Sequence, residues 1–108
     1  MAVTYKVLGQ SAPAATTNTA LYTVPALTQA VASTLAICNQ GLTTTVRVAV
    51  RVAGAALTQS QYIVYDNTVN NNDTMFLTLG ISLGAGDIVS VYAGTATTSF
   101  SLFGSEIS

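Results

Sequence analysis

The 108-residue chain contains no histidine and no tryptophan, and it has one cysteine, two prolines, three Lys or Arg and four Asp or Glu. Without histidine, the commonest general base and the commonest neutral metal ligand are both missing. Cys38 alone supplies no ligand set for zinc or an iron–sulfur cluster and cannot form an internal disulfide. No Ser/His/Asp or Cys/His constellation can be assembled, so the chain is expected to be no enzyme and to carry no cofactor and no metal. Charged residues make up 6% of the chain, against about 25% in ordinary domains. The net charge of −1 leaves no electrostatic case for nucleic acid or an anionic membrane as partner. Long apolar runs are missing too. Mean hydropathy is +0.53, but Thr, Ser, Asn or Arg interrupts every stretch before the roughly 20 residues a spanning helix needs. The start "MAVTYKVLGQ" lacks a basic segment followed by an apolar one, which predicts synthesis in a cytoplasm without a secretory leader.

What remains is half hydrophobic, rich in Ala, Val and Thr, and patterned with a period of two from end to end. The clearest stretch is "TTTVRVAVRVAGAA" (43–56), where Val46, Val48, Val50 and Val52 share one strand face and Arg47, Ala49, Arg51 and Ala53 the other. Further strands are predicted over 3–10, 21–25, 30–38, 62–66, 74–80, 88–93 and 99–104, with Pro25 stopping the second. Turns fall at Asn39–Gln40–Gly41, in "NTVNNND", in "ISLGAGD" and in "GTATT". In 30–38 the alternation sets Val31, Ser33, Leu35 and Ile37 against Ala32, Thr34, Ala36 and Cys38, and in 74–80 it sets Met75, Leu77 and Leu79 against Thr74, Phe76 and Thr78. Cys38 reads as a small buried thiol. Eight short strands without crossover helices predict an all-β, single-domain antiparallel β-sandwich spanning 1–108. A jelly roll fits the strand count best, and an immunoglobulin-like sandwich comes second. The order of strand pairing does not follow from the sequence.

Several segments invite a chemical reading. The glycines of "LGISLGAGD" lack the Gly-Lys-Ser/Thr ending of a phosphate loop and read as a hairpin turn, with Asp87 supporting it. Asp66 and Asp73 bracket an oxygen-rich loop, but no spaced calcium-loop pattern is present. The tyrosines (Tyr5, Tyr22, Tyr62, Tyr65, Tyr92) are spread over several strands, which suits core and interface packing better than a sugar platform. Arg47 and Arg51 lie roughly 13 Å apart along one strand, too far to share one carboxylate. Each could meet an acid on a neighbouring strand or on another subunit, or simply keep one sheet face soluble. Low charge is also the composition of interface cores, which predicts an assembled protein.

The strings "TYKVLGQSAPAATT", "LYTVP", "YIVYD" before "NDT", "GISLGAGDIVSVYA" and "SFSLFGSEIS" run over nearly the whole chain, and they resemble a family of small bacteriophage virion structural proteins. That resemblance carries no site motif. It implies a capsid decoration (cement) subunit on the virion surface, made in the bacterial host cytoplasm. Its partners would be the major capsid protein or other virion structural proteins, and a homo-oligomer would form, most often a trimer. Tail, neck, baseplate or fibre is the alternative location, and a carbohydrate-binding host-attachment module the alternative of a different class. Arg47 and Arg51 are the candidate inter-subunit contacts. The segment 11–19 and both termini are candidates for arms that bind a neighbour by strand addition.

Overall fold

The computed structural model describes residues 2–108 and contains eight strands: β1 (Val3–Ser11), β2 (Thr19–Thr23), β3 (Gln29–Asn39), β4 (Thr44–Arg51), β5 (Tyr62–Val69), β6 (Thr74–Leu83), β7 (Ile88–Ala93) and β8 (Thr98–Ile107). They form two four-stranded antiparallel sheets, ordered β1-β8-β3-β6 and β2-β7-β4-β5. Pairing β1 with β8, β2 with β7, β3 with β6 and β4 with β5 describes one long antiparallel ribbon. The added pairs β3·β8 and β4·β7 roll that ribbon up, and the result is a jelly-roll sandwich. Strand formation follows from β-branched and aromatic residues that pack well on a pleated, half-buried surface.

The core lies between the sheets. Leu35, Ile37, Phe100 and Leu102 face Val46, Val48, Val89 and Val91, all fully buried. Met75, Leu77 and Leu79 pack against this cluster from β6, as the alternation predicts. The valine face of β4 is shorter than expected. Val46 and Val48 are buried and Val50 is partly so, but the strand ends at Arg51 and Val52 is 66% exposed. Ala53 takes φ +54° in a 3-10 turn, outside the extended region of regular strand pairing.

One crease reverses the predicted face of β3. A β-bulge between Ala32 and Thr34 turns Ala30 and Ala32 inward on one side, and Leu35 and Ile37 on the other. Val31 therefore looks outward, against the simple alternation. The same line of irregularity crosses the sheet at Val7/Gly9 in β1 and opposite Ser33 in β6, where Gly80 has φ +63°. Ser33 Oγ donates to the Phe103 carbonyl across the crease. Gly104 sits beside it because a Cβ there would overlap the Val31 carbonyl oxygen. Cys38 is half-exposed on the outer face, between Ser99 and Thr74, because it keeps the outward phase beside buried Ile37 and Asn39.

Candidate functional site: two faces and two ends

Arg47 occupies the centre of the outer face of β2-β7-β4-β5, directly opposite Tyr92 on β7. On its other side β5 bulges between Asn67 and Val64, so that both Tyr65 and Asp66 stand opposite Arg47. Asp66 reaches this position with φ +50°. Arg47 Nε donates to Asp66 Oδ1 at 2.6 Å and its terminal nitrogen to Oδ2 at 3.2 Å. The guanidinium lies 4.4 Å from the Tyr65 ring centre and 4.5 Å from that of Tyr92, stacked between two aromatic faces. The hydrogen bond from Arg47 holds the Asp66 carboxyl below its ordinary value, against a smaller opposing effect of desolvation. Of the three expectations for this arginine, the fold supplies the acid on a neighbouring strand.

Arg51 does something different. Its Nε donates to the Ala55 carbonyl at 2.7 Å and its terminal nitrogen to the Gly54 carbonyl at 3.2 Å, clamping the turn that ends β4. Asp87 ties the same end together. Its carboxylate accepts from the Ala53 and Gly84 N–H groups, both at 2.8 Å, and its carbonyl accepts from Val24 N–H. The expected support of its own turn is therefore extended to two further loops. Asp73 accepts from the Thr74 N–H at 2.9 Å. With Asp66 committed to Arg47, the two acids of the supposed calcium loop serve separate local roles. No group of three His, Cys, Asp or Glu able to hold a metal occurs among the described residues.

At the opposite end, buried Asn39 was visible in the sequence only as a turn residue. Its side-chain amide donates to the carbonyls of Leu42 (2.7 Å), Asn70 (3.1 Å) and Val69 (3.3 Å). Its oxygen accepts from Gly41 N–H and from the Thr97 hydroxyl. Three loops are thus pinned by one side chain. Between the sheets, Glu106 on β8 accepts from the Tyr22 hydroxyl of β2 at 2.5 Å and from Lys6 Nζ of β1 at 3.2 Å. The Tyr22 hydrogen bond, with a smaller contribution from Lys6, holds the Glu106 carboxyl below its ordinary value, while burial and Glu106 together raise the Tyr22 phenol.

The outer face of β1-β8-β3-β6 has another character. Its rows run Tyr5–Ser105–Val31–Ser82, Val7–Phe103–Thr34–Thr78 and Gln10–Ser101–Ala36–Phe76. Tyr5 is 84% exposed on the β1 edge with exposed Val3 and Val7 beside it, and Phe76 is 70% exposed on the opposite edge, β6. No charged side chain lies on this face among the described residues, because Lys6 and Glu106 point inward with Ala32 and Ala30. Four strands at about 4.8 Å and ten residues at about 3.3 Å give a face of roughly 600 Å², close to the ~800 Å² per partner of a standard interface.

A shallow open cleft of about 630 Å³ lies beside Tyr62 and Tyr65, walled by Leu57, Thr58 and Gln59. The two rings meet edge to face at 4.9 Å, and Arg47 covers one face of Tyr65. The segment 12–18 rests on its own chain through buried Pro13 and the Thr16 N–H to Ala93 carbonyl bond. Ala2 and Ser108 hydrogen-bond to each other and so extend the β1·β8 ladder.

These features define a jelly-roll sandwich with one polar, internally paired outer face and one outer face of hydroxyl, amide and exposed apolar side chains that carries no charged side chain among the described residues. Among the described residues no helix is long and apolar enough to cross a membrane. No protein-family model, curated protein or solved structure matches the chain.

Proposed function

We propose that the chain is a structural subunit of a bacteriophage virion, a capsid decoration subunit that stabilises the head shell through inter-subunit contacts. One observation carries this reading: the outer face of β1-β8-β3-β6 presents Tyr5, Val7, Phe103 and Phe76 with no charged side chain among the described residues. Large hydrophobic side chains exposed on an uncharged face, set among Ser, Thr and Gln, suit an interaction surface. A jelly roll by itself names no function, so the support comes from the face and from the resemblance of the sequence to small phage virion proteins. The arrangement performs no chemistry in this reading. It offers a flat, rigid surface that excludes water when it docks on a capsid protein.

Quantitative mass spectrometry of purified particles of a phage that encodes this chain tests the proposal. Hundreds of copies per particle support decoration, and six or twelve move the subunit to the tail or neck. Absence from the particle refutes a virion role. Tyr5→Lys, which places a charge on the face and leaves the core untouched, is expected to fold and yet be lost from the shell.

A further inference from the structure

We propose that the free edge of β6 pairs with β6 of a second copy, antiparallel, about a twofold axis through Phe76. A jelly roll of two sheets has four edges, and an unprotected edge is a template for further pairing. Three of the four edges here are blunted. β1 carries Lys6, pointing inward, and a bulge at Leu8, and its Gly9 backs onto the Leu21 carbonyl of β2. β2 has five residues, is bulged between Ala20 and Tyr22 and is followed by Pro25. β5 is broken by the bulge that delivers Tyr65 and Asp66 to Arg47. β6 carries its own bulge where Leu79 and Gly80 stand opposite Ser33. Over the regular stretch Thr74–Thr78, however, it has no charge, no proline, no glycine and no positive φ, and no strand is bonded to its outer side among the described residues.

The sequence of that edge indicates which partner fits. Thr74-Met75-Phe76-Leu77-Thr78 reads nearly the same in both directions, threonine at both ends and a large aliphatic on either side of the phenylalanine. An antiparallel pair related by a twofold axis needs this symmetry, because residue i then faces its mirror position on an identical strand. Centred on Phe76, the pairing sets Thr74 against Thr78 of the second copy and Met75 against its Leu77. The two phenylalanines stack across the axis on the outer face. Threonine–threonine and aromatic–aromatic pairs are favourable cross-strand neighbours. The product is one continuous eight-stranded sheet in which two uncharged outer faces join into a single surface, and Phe76, 70% exposed in one copy, becomes covered.

The pairing goes beyond the virion reading and does not depend on it. A dimer missing from particles keeps the pairing, and a monomer found on the shell refutes it while leaving the virion role intact. The test is light scattering after size exclusion on the full chain, with Phe76→Lys and Tyr5→Lys as variants and far-UV circular dichroism as the fold check. The wild type and Tyr5→Lys are expected at twice the 11.1 kDa chain mass. Phe76→Lys, which places like charges directly opposite each other, is expected to dimerise at least about ten-fold more weakly. If Phe76→Lys fails to fold, Phe76→Cys in a Cys38→Ser background decides, because a short bismaleimide should link two copies there and not through Tyr5→Cys. A wild type that stays monomeric at about 1 mM, a three-chain mass, a folded Phe76→Lys that dimerises as the wild type does, a Tyr5→Lys monomer or an unlinked Phe76→Cys overturns the proposal.

Discussion

Replacing Asn39 by alanine is the sharpest probe of how this fold is held at one end. The side chain is 1% exposed and makes five hydrogen bonds to the β3–β4 turn, the β5–β6 loop and the β7–β8 loop. Its two amide hydrogens serve three carbonyls, so one hydrogen is shared. After truncation the carbonyl of buried Val69 loses its side-chain donor, which costs about 1–3 kcal/mol, and each bond nearer the surface loses ~0.5 kcal/mol after water replaces it. The sum is about 3–5 kcal/mol out of a total stability of 5–15 kcal/mol. At roughly 4–8 °C per kcal/mol for a domain of this size, the melting temperature falls by about 12–40 °C. Thermal unfolding followed by far-UV circular dichroism reads the loss. Asn39→Asp separates donor loss from volume loss. Near neutral pH it is expected to be at least as unstable as the alanine variant, since a carboxylate then faces three carbonyls. Facing those carbonyls raises the pKa of the new carboxyl, so part of the stability returns as the pH falls and the group regains one O–H donor. A drop below about 5 °C for Asn39→Ala, or a neutral-pH Asp variant more stable than Ala, refutes the reasoning.

Gly104→Ala is expected to cost about 2–3 kcal/mol or to prevent folding, because the new Cβ meets the fixed Val31 backbone. Gly80→Ala meets nothing and costs only the ~1 kcal/mol of a positive φ; equal losses in urea unfolding would remove the steric argument for the crease. Asp66 and Glu106 both titrate below their ordinary values of 3.8 and 4.5. Their stabilisation is therefore complete above those values and lost as the pH falls through the lower folded-state values. The Tyr22 phenol is raised above 10.0, so its share is present below pH 10.0 and lost above it. The urea midpoint should be flat from about pH 5 to 9 and fall at both ends; a decline between pH 7 and 5 contradicts the assignment. Arg47→Ala with Arg51→Ala is expected to lower the melting temperature and leave the solution mass unchanged, since both side chains meet partners in their own chain. A change of mass in the folded variant would return these arginines to an inter-subunit role.

The number of strands, their approximate bounds and the sandwich were legible because alternation survives wherever one face is buried. Bulges were not. Nothing in "AVASTLAIC" marks Ser33 as the residue that shifts the phase, because the bulge is fixed by pairing with β8, far away in sequence. For the same reason Val31, which alternation sets on one face with Leu35 and Ile37, lies on the outer face. "NTVNNND" reads as a loop through its asparagines, yet β5 continues to Val69, whose side chain fills the core. The Arg47 site was half visible: the sequence supplies the arginine on an outer face, but the bulge that brings Tyr65 and Asp66 to it is again a product of tertiary register. The palindromic edge was written in the sequence all along. It gains meaning only once β6 is known to be an edge strand.

The scarcity of charge follows from where the charges are. Lys6 pairs with Glu106, Arg47 with Asp66, Arg51 binds two carbonyls, and Asp73 and Asp87 accept from backbone N–H groups. Every Lys, Arg, Asp and Glu thus has a partner within the fold, at a sheet corner, in a bulge or in a turn. A free monomer normally carries surplus charge to stay apart from its neighbours. This chain has none to spare, and the face it leaves uncharged is the one flanked by the regular, uncharged stretch of the β6 edge. If Phe76→Lys both abolishes pairing and raises solubility, the missing charge is the price of assembly, and the edge and the apolar face are parts of one design. A variant that neither dissociates nor becomes more soluble would mean that the low charge has a cause unrelated to contact between copies.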